Sequence, residues 1–417
     1  MAASIQVLEV RLHGEPVGTL TLFPGEQLTF AFTQDYIDDP ARPTLSLSFK
    51  DRLGGLITDI RPTRIRVPPF FANLLPEGPL REYLAQRAGA NAQRDFFLLG
   101  VLGEDLPGAI TIVPVDGRPV QVEDPADQGR HAPDDRAHAA EHAMRFSLAG
   151  VQLKFSAVME ATGGLTIPVS GSGGSWIVKL PSTRFPGVPE NEYTMMTLAR
   201  AVGITVPDVK LVDMAAVAGL PPEMSRMPGQ ALAVKRFDRT PDGGRVHIED
   251  FAQVFRVYPD DKYAKASYRN IAEVIWAEVG EQGIAEFIRR LVFSALIGNA
   301  DMHLKNWSLI YPDRRATALA PGYDFVATIA FLDDPAMALK MGRSKKMHEM
   351  SRESLVYFAA KASLPEKLVL DSATETLERF LAVWAEERAH LPISKTSVDT
   401  IEGHFRKISF IGERNTR

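Results

Sequence analysis

Apolar positions change their period twice along the chain. Ile5, Val7, Glu9 and Arg11 alternate with Gln6, Leu8, Val10 and Leu12, the two-residue period of a half-buried strand. His13-Gly14-Glu15 separates this run from a similar one over 17–23, which predicts a hairpin. Residues 44–49 predict a further strand. The apolar run Phe70–Leu75 is then closed by Pro76 and Gly78, and Pro79 suits a first helical turn. Leu80, Leu84 and Ala88 fall on one helical stripe. Asp95 is placed to cap a helix over 96–102, and 108–114 reads as a strand. Together these elements predict an N-terminal α+β subdomain over 1–114.

Residues 115–145 lose all periodicity. They are rich in Asp, Pro, Gly, Arg and His, the composition of a polar linker or surface loop. His131, His138 and His142 lie there without a recognisable metal-ligand spacing, so we read them as surface residues. Strand patterns resume over 151–158, 165–169 and 175–180, with Gly163-Gly164 as a turn between the first two. A helix is predicted over 190–202, with Gly203 as its C-cap, and a strand over 231–237. From about 249 the periods are helical, at 271–279, 284–297, 351–361, 365–390 and 397–408. One strand, 307–311, interrupts them. Strands plus one helix followed by a mostly helical region predict a two-lobed α+β architecture, divided as 146–240 and 241–417.

Composition narrows the function classes. The 417 residues are 45% hydrophobic and 24% charged, which excludes a disordered or fibrous chain. The net charge of −5 gives no global basic footprint for nucleic acid or anionic lipid. With no cysteine, disulfides, thiol catalysis and iron–sulfur clusters are excluded. The first residues lack a signal-peptide pattern, and the strongly apolar stretch 291–298 is too short to span a membrane. A cytoplasmic location is the expectation.

The sharpest chemical signal is Gly298-Asn-Ala-Asp301-Met-His303-Leu-Lys305-Asn306. Asp301 and Asn306 are separated as in the catalytic loop of protein kinases, where the Asp takes the acceptor's proton and the Asn binds magnesium. Lys305 could neutralise charge on a transferring phosphoryl group. Taken alone, the spacing also suits an ordinary polar loop. Gly322-Tyr-Asp324-Phe follows where a second magnesium-binding carboxylate is needed. Lys179 lies in an apolar strand and Glu192 in the next helix, the pairing by which kinases hold nucleotide phosphates. Ser147-Leu-Ala-Gly150-Val151-Gln152-Leu-Lys154 departs from the P-loop pattern, yet its glycine and lysine could form a phosphate-cradling turn. Each piece is ambiguous. Their order along the chain is that of a kinase domain.

These strings, with Phe70–Gly78, Trp176–Pro181, Ala233–Arg239 and Pro321–Asp324, together resemble the HipA family of bacterial toxin–antitoxin kinases across nearly the whole chain. The resemblance implies a two-lobed, protein-kinase-like fold with an N-terminal α+β subdomain and a mostly helical C-terminal lobe. It implies ATP and magnesium as cofactors and a protein serine as acceptor, typically on an aminoacyl-tRNA synthetase. It implies a HipB-like helix-turn-helix antitoxin as partner, with DNA reached mainly through it, and no membrane. By motif, Asp301 is the expected base, assisted by Lys305, and Asn306 and Asp324 are the expected magnesium ligands. Lys179 is expected at the phosphates, and the backbone of Lys235 and Phe237 at the adenine. Gly150, Val151, Gln152, Lys154 and His303 complete the expected nucleotide site. Ser147 falls at the position of inhibitory autophosphorylation. Two other classes stay open: a small-molecule kinase on a related scaffold, and an inactive kinase-like module that binds a DNA-bound partner.

Overall fold

The computed structural model describes residues 5–87, 90–115, 153–160, 164–167, 173–182, 184–220, 222–332 and 336–413. They divide into two compact units that are discontinuous in sequence. The first comprises Met1–Val151, Asp238–Lys262 and Leu309–Ala316, and the second Gln152–Phe237, Tyr263–Ser308 and Thr317–Arg417.

The first unit carries a five-stranded antiparallel sheet. Its strands are β1 (Gln6–Leu12), β2 (Glu15–Leu22), β3 (Gln27–Phe32), β4 (Thr63–Arg64) and β5 (Ile110–Pro114), in the order β4-β3-β2-β1-β5. The β1–β2 hairpin sets Leu8 opposite Leu20. The period-two pattern explains the face chosen: Leu8, Val10, Leu12, Leu20 and Phe30 are all buried. Phe70 and Phe71 close over this face, with Phe30 and Phe71 meeting edge-on at 4.8 Å.

Two local expectations are corrected here. The strand expected at 44–49 is a turn of 3-10 helix at Leu47–Phe49. Ser46 accepts from the Ser48 N–H, and Glu249 accepts from the Leu47 N–H at 2.9 Å, so side chains satisfy donors that a strand would have paired. Asp95 does not cap the helix Asp95–Leu102 but begins it. Its carboxylate is drawn instead to Arg81 at 2.6 Å.

The second unit has a six-stranded sheet. Its members are β6 (Lys154–Met159), β7 (Leu165–Thr166), β8 (Trp176–Lys179), β9 (Val209–Asp213), β10 (Val217–Ala218) and β11 (Gln230–Lys235), in the order β10-β7-β6-β8-β11-β9. The helix Val188–Val202 buries Met195, Leu198, Ala199 and Val202, and Gly203 ends it in the left-handed conformation at φ +97°. Five further helices, Tyr268–Glu278, Glu281–Leu296, Arg352–Lys361, Glu366–Glu387 and Lys395–Phe405, follow the helical periods. Ser267 and Ser351 start two of them with reciprocal capping boxes. The helix Glu281–Leu296 buries Ile284, Phe287, Ile288, Leu291, Val292 and Ala295. Those spacings of three and four place them on one broad stripe, packed on Glu366–Glu387.

The helical region contains more strand than expected. Ala336–Met341 and Ser344–Lys346 pair antiparallel through a tight turn at Gly342, where φ is +66°. The alternation in that segment is only a few residues long, too short to stand out among helical patterns. Among the described residues, no helix is long and apolar enough to cross a membrane.

Candidate active site

The site assembles within the second unit from four segments. Lys154 opens β6 and Lys179 ends β8, and the two are direct cross-strand partners. Like charges opposite one another on a sheet repel, so the pair needs anions nearby. Asp324 provides one. Lys179 Nζ donates to Asp324 Oδ1, and Lys154 Nζ lies 3.5 Å from Asp324 Oδ2. Glu192 provides the other: it points from the helix Val188–Val202 and accepts from the same Lys179 ammonium. Lys179 and Glu192 are buried, at 5% and 1% exposure.

Burial and charge compete at each member. Burial would lower the Lys179 pKa, but the Asp324 and Glu192 carboxylates overcome it and raise the pKa above the usual lysine range. Burial acts against ionised Asp324 as well, yet Lys154 and Lys179 hold its carboxyl well below the usual carboxylate range. For Glu192 burial wins, and its pKa is raised despite Lys179. Asp324 has a positive φ of 57°, a conformation that non-glycine residues rarely adopt and Asp tolerates better than most. The backbone here is bent to present a carboxylate to two ammonium groups.

The loop after the helix Glu281–Leu296 begins at Gly298, with φ +70°. A Cβ there would lie 2.5 Å from the Ile329 side chain, so only glycine fits. Asn299 links this loop to Asp324. Its Oδ1 accepts from the Asp301 N–H at 3.0 Å, and its Nδ2 donates to the Asp324 carbonyl at 3.4 Å. Asn306 Nδ2 donates to the Asp301 carbonyl at 2.8 Å and ties the two ends of the loop together. Asp301, at 8% exposure, accepts from the Tyr263 hydroxyl. His303 is buried, with its ring edge-on to Tyr263 at 4.9 Å.

The remaining expected residues divide. Phe237 packs its ring 5.7 Å from Tyr323, whose hydroxyl donates to the Lys305 carbonyl at 2.8 Å. Phe237 and Lys305 are thereby joined through one side chain. Lys235 stands apart from this network. It is exposed, its N–H donates to the Asp208 carbonyl at 2.8 Å, and its ammonium lies 3.8 Å from the Asp208 carboxylate. Ser147, Gly150, Val151 and Gln152 lie outside the described residues. Asn299, Tyr263 and Tyr323 join the cluster without having been singled out in the sequence. Asn299 sits inside the quoted loop string, whereas nothing local marks Tyr263, 38 positions before Asp301.

The donor set suits a magnesium–nucleotide complex. Among the described residues no group of three or more His, Asp or Glu side chains could form a metal cage. Magnesium bound with substrate phosphates needs only one or two protein oxygens. Asp324 is kept ionised, and the Asn306 amide uses its nitrogen within the loop and keeps its oxygen as acceptor. The ammonium groups of Lys154 and Lys179 would offer phosphate oxygens complementary charge.

Comparison with known proteins identifies the family and the fold. Residues 146–384 match the HipA-like C-terminal domain, and residues 8–113 match the HipA N-terminal domain. The chain is 57% identical over 406 residues to Y4dM of Sinorhizobium fredii, a protein whose kinase name is itself provisional; the match covers 96% of each chain. It is 24% identical over 436 residues to the serine/threonine-protein kinase toxin HipA of Shewanella oneidensis, covering 97% of this chain and 94% of that one. The HipA chain of the solved Shewanella oneidensis HipA–HipB–operator DNA complex superposes with a TM-score of 0.72 at 21% identity, over 97% of both chains. That likeness establishes an α+β, kinase-like fold. Two domain models in the expected order and a full-length relative far above 30% identity place this chain in the HipA family.

Proposed function

We propose that this protein is an ATP- and magnesium-dependent serine/threonine protein kinase that acts as the toxin of a toxin–antitoxin pair. The observation that carries the reading is the link between two chemistries in one unit. The Lys179–Glu192–Asp324 cluster is joined through Asn299 to the loop that holds Asp301. In this reading Asp301 accepts the proton of the acceptor serine hydroxyl as its oxygen bonds to the γ-phosphorus. The bond from that phosphorus to the β–γ bridging oxygen breaks, and ADP leaves. Lys179 and Lys154 bind phosphate oxygens, Lys305 faces developing charge, and Glu192 keeps the Lys179 ammonium oriented. Asp324 and Asn306 would hold magnesium, which supplies charge neutralisation on the phosphates. Phe237, together with the backbone around Lys235, would receive the adenine, with His303 backing the loop.

The biology proposed follows the family. A HipB-like helix-turn-helix antitoxin is the expected partner, as the Shewanella oneidensis protein is found with HipB and operator DNA. DNA is reached mainly through that partner, consistent with a net charge of −5. An aminoacyl-tRNA synthetase is the proposed acceptor, autophosphorylation at Ser147 the proposed off-switch, and the cytoplasm the proposed location. A phosphate at Ser147 adds about −1.5 to −2 charges beside the nucleotide phosphates and would repel them.

The deciding experiment incubates phosphatase-treated protein with γ-labelled ATP and magnesium, wild type beside Asp301→Asn. Mass spectrometry then reads the modified residue. Label on Ser147 in wild type, reduced about 10³-fold or more in the variant, is the expected result. Equal labelling of both would overturn the role of Asp301. Consumption of ATP on a metabolite with no protein label would favour a small-molecule kinase.

A further inference from the structure

Tyr263 makes a contact that the mechanism above does not use. Its hydroxyl donates to Oδ1 of Asp301. The main chain of Asp301 is fixed at both ends, its N–H by Asn299 and its carbonyl by Asn306. Fixing the main chain does not fix the carboxylate, because the terminal torsion of an Asp side chain is a broad, roughly two-fold rotor. A donor on one carboxylate oxygen restricts that rotation and sets the plane of the carboxylate.

Tyr263 is itself held in place. Its ring meets the His303 ring edge-on at 4.9 Å and 81°. His303 is buried and lies two positions after Asp301 in the same loop. The Tyr263 carbonyl lies 3.5 Å from Lys345 Nζ, and that ammonium donates to the Ala338 carbonyl at 2.6 Å. The phenol therefore braces the loop at two points, through its ring and through its hydroxyl. Asp301 is 8% exposed, so water competes weakly for the oxygen that Tyr263 occupies.

We infer that Tyr263 is a positioning residue for phosphoryl transfer, orienting the Asp301 carboxylate toward the acceptor hydroxyl. The inference rests on the reading of Asp301 as the base. A base oriented by a third group is the arrangement that general-base chemistry uses elsewhere, and small errors in its aim cost rate rather than binding. Losing the hydroxyl should therefore lower the turnover of bound ATP and leave ATP affinity alone.

Tyr263→Phe tests this, since it keeps the ring on His303 and deletes only the donor. Phosphatase-treated protein is mixed with γ-labelled ATP and magnesium, and label transfer to the chain is followed at a series of ATP concentrations. The expected result is a maximal rate lower by about 10- to 100-fold, with half-saturation by ATP and the thermal midpoint unchanged. The same substitution is then made in Asp301→Asn. If Tyr263 acts through Asp301, it lowers the residual rate no further, a complete loss of additivity. A Tyr263→Phe rate within twofold of wild type would overturn the inference while leaving the kinase reading intact. An equal fall in both backgrounds would also overturn it, as would a loss confined to ATP affinity or the thermal midpoint. Absence of transfer by wild type itself would overturn the kinase reading and this inference with it.

Discussion

Asp324 and Glu249 are both carboxylates withdrawn from water, and the two units hold them in opposite ways. Asp324, in the second unit, faces two ammonium groups, and they keep it ionised. Glu249, in the first unit, is fully buried, and its donors among the described residues are neutral. These are the Ser46 hydroxyl, the Leu47 N–H and the Tyr311 hydroxyl. Burial outweighs those hydrogen bonds and pushes Glu249 up to about 7. In the proposed kinase reading, the two lysines that match Asp324 would turn to an incoming phosphate. A carboxylate matched by a backbone N–H and packed hydroxyls can only knit segments of its own unit together. On the proposed reading, the comparison separates a cluster that would exchange partners with phosphate from one committed to structure.

The strongest way to break this contrast is to remove the shared cation. Lys179→Met leaves buried Glu192 without its partner, and removing one member of a buried pair costs about 3–5 kcal/mol. Chemical denaturation should show that loss near neutral pH, with partial recovery in acid as Glu192 takes up a proton. A loss below about 1 kcal/mol would mean that water reaches the pair.

Glu249 should show itself through pH instead. Its folded value of about 7 lies above the ordinary 4.5, so the folded state holds the proton more tightly. The stabilisation is complete below about pH 4.5 and is lost as pH rises through about 7. In denaturation across that window wild type should lose roughly 3 kcal/mol relative to Glu249→Gln as pH rises, a difference that removes the contributions of other titrating groups such as His247. Identical slopes for the two proteins would place the titration elsewhere.

The smallest effect is expected at Lys154. Its side chain is 30% exposed and lies 3.5 Å from Asp324, so Lys154→Met should cost less than about 1 kcal/mol of stability. On the proposed reading, nucleotide affinity should fall more than stability does, because this partly exposed charge would meet phosphate and contributes little to packing. An equal fall in both would make Lys154 a structural partner of Asp324 and no more.

Much of the secondary structure is legible locally. The alternation at Leu8, Val10 and Leu12 sets the buried face of β1, and Gly203 ends its helix because a left-handed residue is needed there. Expectations fail where long-range partners override the local signal. Residues 44–49 look like a strand, but Glu249, some 200 positions away, recruits the Leu47 N–H and the Ser46 hydroxyl. Asp95 looks like a cap and is taken by Arg81.

The sequence by itself determined which residue types are present, their order and the periods that make strands and helices. These are properties of neighbours along the chain. It could nominate Lys179, Glu192, Asp301 and Asp324 because a lysine in an apolar strand or an Asp in a glycine-bearing loop is chemically unusual. Only the tertiary structure decided that Lys154 and Lys179 converge on one carboxylate, that Asn299 bridges two loops, and that Tyr263 reaches Asp301. The reason is physical. A hydrogen bond or ion pair depends on distances of a few ångströms between side chains, and those distances are set by how sheet and helices pack, not by spacing along the chain.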